Sequence, residues 1–110
     1  MNDFIEKFKD GLIVKVDPEN IKKFLEIIQY NSEINWASGR SPMAFNPFLE
    51  NSKEKCFYIF YNKNLNGMQV SLFRENLKNE IYDFQNFKLD LEEQVVFRKL
   101  IAKFLTEKCQ

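Results

Sequence analysis

The chain has 110 residues with sixteen basic and sixteen acidic side chains, a length that supports one domain with its own core and no disulfide or metal staples. Hydrophobic residues make up 45% and aromatics 15%, twelve of them Phe, which excludes a disordered chain. The charges are interleaved, with neither a basic nor an acidic tail; attraction to a phosphate backbone scales with the phosphates neutralised, so direct nucleic-acid binding is not expected.

The opening "MNDFIEKFKDG" predicts an amphipathic helix with Phe4, Ile5 and Phe8 on one face and Gly11 as its stop. It is too short and too mixed in charge to anchor a membrane. With no signal peptide, no apolar run of about 18 residues and no lipidation motif, the expectation is a reduced protein of the cytoplasm. The β-branched "LIVKV" suits a strand. "DPENIKKFLEIIQYN" then carries helix signals: Asp17 to cap, Pro18 for the first position, and Ile21, Phe24, Leu25 and Ile28 on one stripe.

"EINW" predicts a short strand, and "ASGRSPMAFNPFLENSKEK" holds too many breakers for regular structure. That irregular stretch is longer than most connections in small domains, and long loops are often functional. "CFYIFY" and "MQVSLF" predict a hairpin turned by the Asn-Gly of "NKNLNG", and "EIYDFQNF" is expected to add a third strand to it. The last segment, "DLEEQVVFRKLIAKFLTEK", predicts a helix with Asp90 and Glu93 at capping-box spacing and Phe97, Leu100, Ile101 and Phe104 on one stripe. The expected fold is a single α+β domain over residues 1–110. Its order is α-β-α-β-β-β-β-α, with a mostly antiparallel sheet of about four to five strands packed against helices.

Chemistry is limited by what is missing. The chain has no histidine, which removes the commonest general base, the Ser-His and Cys-His nucleophile pairs and the commonest zinc ligand. Two separated cysteines, Cys56 and Cys109, do not replace it as a metal site. Ser38 and Ser41 flank Gly39 without the strand-elbow-helix context of a hydrolase nucleophile, and lone glycines at 11, 39 and 67 do not form a phosphate loop. Glu92 and Glu93 sit where a helix dipole favours negative charge. No catalytic residue, metal ligand or cofactor is expected, and the chain is not expected to be an enzyme.

Two stretches are candidates for recognition. In "CFYIFY", Phe57, Ile59 and Tyr61 alternate with Cys56, Tyr58 and Phe60, so the strand is either buried on both faces or carries an exposed patch. The other is "NWASGRSP", Asn35 to Pro42, which holds the only Trp of the chain. Trp36 either packs beneath the loop or joins Arg40 in a platform that docks a partner aromatic or carboxylate, or stacks a base and holds a phosphate. Ser38 and Ser41 are small donors beside it, Phe45 and Phe48 follow, and Pro42 and Pro47 restrict the loop. Trp36, Ser38, Arg40, Ser41, Phe45 and Phe48 are therefore the expected partner-binding residues.

Gly11, "LIVKV", Phe24 and Leu25, "INWASG" and the Tyr- and Phe-rich strands together resemble small proteins of phages and prophages of AT-rich bacteria, a group without an established activity. The likeness covers about residues 4 to 87, most distinctively Trp36, Ser38 and Gly39; Lys outnumbers Arg thirteen to three and Asn reaches twelve, a usage that AT-rich codons produce. No functional residue is carried over. The resemblance implies an accessory protein of a mobile element, at work in the cytoplasm of a bacterial host. By analogy with anti-CRISPR proteins, it binds and inhibits a host protein such as a CRISPR effector or another defence component. The alternatives are a small-ligand binder, such as a sponge for a nucleotide second messenger, and a self-assembling structural or regulatory phage protein.

Overall fold

The structure is a computed structural model and describes residues 2–50, 53–72 and 79–87. Helix α1, Asn2–Lys9, stops where Gly11 predicts. The Leu12 N–H donates to the Lys7 carbonyl at 2.9 Å and the Gly11 N–H to that of Phe8 at 3.2 Å, while Gly11 takes φ +118°. That is a Schellman stop, whose left-handed position suits a residue without Cβ. Strand β1, Ile13–Val16, follows. At its end Asp17 Oδ1 accepts the N–H groups of Glu19 and Asn20, both at 2.9 Å. Asp17 thus caps a turn, and regular helix begins beyond it as α2, Ile21–Asn31. The predicted stripe of Ile21, Phe24, Leu25 and Ile28 is buried, and Ile27 with it.

The breaker-rich loop is more regular than its composition predicts. A 3₁₀ turn covers Pro42–Ala44 and a short helix, α3, covers Pro47–Glu50. Each begins at a proline, where the missing N–H has no helical acceptor to lose, and Asn46 Oδ1 accepts the Phe48 N–H at 3.0 Å. The "EINW" strand shrinks to one parallel bridge, Trp36 with Met68.

Strands β2, Phe57–Asn62, and β3, Gly67–Ser71, form the expected hairpin. The third predicted strand forms as β4, Ile81–Asp83, but does not join that hairpin. It lies parallel to β1 at the opposite edge, in the order β3-β2-β1-β4. Two ties hold it there. Gln85 Nε2 donates to Asp17 Oδ2 at 2.8 Å, and Phe84 and Phe87, in and after the 3₁₀ turn Phe84–Asn86, pack on Phe4 at ring-centre distances of 6.2 and 4.9 Å.

The described residues therefore form an α+β fold with three helices and a four-stranded mixed sheet. Its core gathers Ile5 and Phe8 of α1, the α2 stripe, and Val14, Val16, Phe57, Ile59 and Met68 of the sheet. The opposite sheet face carries Tyr58 and Phe60, which are half-buried, so the doubly apolar β2 is a central strand that buries Phe57 and Ile59 in the core and leaves Tyr61 half-buried beside them. The helix predicted over 90–108 lies outside the described residues.

Candidate functional site

The site is made where the chain leaves α2 and crosses the edge of the sheet. The Ser32 hydroxyl donates to the Ile28 carbonyl at 2.6 Å and accepts the Ile34 N–H at 3.2 Å, a local pattern that competes with helix continuation. Asn35 to Ala37 then run beside β3. The Met68 N–H donates to the Asn35 carbonyl and the Ala37 N–H to the Met68 carbonyl, both at 2.9 Å. This crossing needs Gly67, where a Cβ would lie 2.6 Å from the backbone N and Cα of Ala37. The Asn-Gly pair is thus divided in its roles: Asn66 takes the left-handed turn conformation at φ +54°, and Gly67 admits a neighbouring backbone.

Beyond Ala37 the chain folds back on itself. The Gly39 N–H donates to the Trp36 carbonyl at 2.8 Å, and the Trp36 N–H to the Arg40 carbonyl at 2.9 Å. Gly39 at the tip has φ +94° and open space around it. The indole is packed, at 5% exposure. Its Nε1 donates to the Pro42 carbonyl at 3.0 Å, and the Phe45 ring meets it edge-on at 5.1 Å. The Met43 N–H donates to Gln29 Oε1 at 3.0 Å and fastens the loop to α2.

These contacts shape an open groove of about 390 Å³. The loop contributes Trp36, Ala37, Ser38, Arg40 and Phe45, and the edge strand contributes Met68, Gln69 and Val70. Trp36, Ser38, Arg40 and Phe45 are thereby brought together as predicted binding residues. Ser41 is exposed nearby without lining the groove. Phe48 is not brought there; it is buried against Phe57, with ring centres 4.7 Å apart. The β3 residues were missed because no local signal in "GMQVS" says which loop will cross it; Gly67 is the one trace of that crossing.

Arg40 is exposed, and no ion pair to it is found among the described residues. Its backbone is pinned by Trp36 while its guanidinium faces solvent at the groove. A second hollow, about 440 Å³, lies at the end of α1 beside Lys7, Asp10, Asn79 and Tyr82. Its amide group is already in structural use, since Asn79 Nδ2 donates to the Gly11 carbonyl at 3.1 Å. Burial raises the Tyr82 phenol above its ordinary pKa, and Asp83 adds to the effect. Among the described residues no three His, Cys, Asp or Glu side chains gather as a metal set, and no helix is long and apolar enough to cross a membrane.

Compared with protein-family models, with curated proteins and with solved structures, the chain finds no match.

Proposed function

We propose that this chain is a non-catalytic binding protein that engages a host protein through the Trp36–Arg40 groove. The resemblance to phage proteins supplies the partner class: a component of bacterial defence, a CRISPR effector among them. The observation that carries the binding role is an exposed Arg40 on a hydrogen-bonded turn, beside a recessed aromatic pair and a sheet edge. A turn held by its own backbone bonds loses little entropy when a partner docks. Arginine beside packed aromatics is the composition in which interface energy concentrates.

Charge favours a protein over a nucleotide. Among the described residues Arg40 is the sole charged one lining the groove; one planar cation matches one carboxylate, whereas a phosphate chain calls for several cations.

The test uses wild type and Arg40→Ala as baits in a bacterial lysate, followed by calorimetric Kd values for the recovered protein. Arg40→Ala is expected to weaken binding at least about tenfold, or roughly 1.4 kcal/mol, with the same melting temperature. Equal affinities would remove the groove from the interface. A nucleotide that raises the melting temperature of wild type, but not of Arg40→Ala, would favour the sponge reading instead.

A further inference from the structure

We infer that the groove takes an extended, acidic segment of its partner as an added strand beside β3, with a carboxylate held by Arg40. This rests on the binding role proposed above and names the form of the ligand.

The geometry comes from the ladder at the sheet edge. Met68 bonds outward, away from β2, with its N–H to Asn35 and its carbonyl to Ala37. Outward bonding alternates along an antiparallel strand, so Val70, two residues on, presents its N–H and carbonyl on the same side. The segment that served Met68 does not reach that rung, because Ser38 and Gly39 turn it back to Arg40. Among the described residues no hydrogen bond to the outer side of Val70 is found. An open rung on an edge strand is a template for another chain.

The surroundings select the occupant. An extended segment at Val70 would lay one side chain toward the apolar wall of Trp36 and Phe45. The adjacent residues would point away, as strand alternation requires. Among the described residues Arg40 is the one cation lining the groove, complementary to one Asp or Glu next to the apolar residue. A partner helix has no free main-chain groups to offer Val70. A second copy of this chain fits poorly, since two β3 edges paired antiparallel about Val70 would need the Met68 rung that Asn35–Ala37 already fill.

The probe is a displayed library of random twelve-residue peptides panned on the full chain, with selected peptides resynthesised for Kd and ¹⁵N NMR measurements. The expected winners share an apolar, preferably β-branched, residue beside Asp or Glu, and they shift the Val70 amide signal. Methylating the one peptide nitrogen that faces Val70 should weaken binding at least about tenfold, while methylating the next nitrogen has little effect. Arg40→Ala should abolish the preference for the acidic residue.

Peptides that bind at Arg40 but tolerate methylation at every nitrogen would overturn the strand pairing and leave the groove reading standing. So would selection of helical peptides, or of none that moves Val70. The groove reading itself falls if the host protein recovered from lysate also ignores Arg40→Ala.

Discussion

Gly39 and Gly67 meet different constraints within one site, and a substitution at each separates them. Gly39 has room for a side chain but a φ of +94°. Gly39→Ala is therefore expected to cost about 1 to 2 kcal/mol, the usual penalty of left-handed backbone. Gly67 faces backbone at 2.6 Å, and backbone cannot swing aside as a side-chain tip does. Gly67→Ala is expected to cost more, about 3 kcal/mol, at the upper end of overpacking effects. Urea denaturation measures both, and a reversed order would contradict the assigned crossing of Trp36–Ala37 over β3. Trp36→Ala removes a buried ring and its bond to Pro42, an expected loss of about 3 to 5 kcal/mol. Arg40→Ala should stay within about 0.5 kcal/mol of wild type. At this scale the sequence was informative about character more than contact. A lone Trp beside Ser-Gly-Arg-Ser-Pro, with prolines that restrict the loop, marked a candidate recognition stretch, but nothing in "FNPF" tells that Phe48 turns to Phe57 while Phe45 turns to Trp36.

Helix α2 was legible because its signals are local: an apolar stripe at helical spacing behind an Asp-Pro turn, although Asp17 caps that turn and the helix itself starts only at Ile21. Strand β4 was legible as a strand and not as a neighbour, since its place beside β1 depends on Gln85 reaching Asp17 and on Phe84 and Phe87 reaching Phe4. No turn residue encodes such ties. Asp17 joins both kinds of information. Burial raises its carboxyl pKa, but bonds from Gln85 and from the N–H groups of Asn20 and Glu19, with Lys15 nearby, outweigh burial and leave it below the ordinary 3.8. A carboxyl depressed on folding stabilises fully above its unfolded value and loses that contribution as pH falls through the lower folded one. Asp17→Ala is thus expected to cost about 1 kcal/mol at neutral pH, the typical worth of a cap. The deficit relative to wild type should shrink only as pH drops below about 3.8. A deficit that stays constant to pH 2 would show that the carboxylate charge contributes nothing to the cap.

At the scale of the molecule, five of the twelve Phe form a cluster that joins three elements: Phe4 and Phe8 of α1, Phe24 of α2, and Phe84 with Phe87 after β4. Edge-to-face and stacked pairs of this kind add to the burial of the rings themselves. The cluster lies at the β4 side of the sheet, while the groove lies at β3, the opposite edge. Aromatic packing and polar ties thereby fasten β4 at one edge of the sheet, and β3 at the other presents Val70 beside Arg40. The α+β class and the hairpin were readable from periodicity and turn residues. The groove was readable only on its loop side, because its sheet wall comes from residues distant in sequence. Binding at the proposed surface, the Trp36–Arg40 loop with the adjoining β3 edge, is read directly by ¹⁵N NMR of the chain titrated with the host protein recovered from lysate. The largest shifts are expected on Ser38, Gly39, Arg40, Phe45 and Val70; shifts confined to Tyr58 and Phe60, or to the hollow at Lys7 and Asn79, would place the binding surface elsewhere.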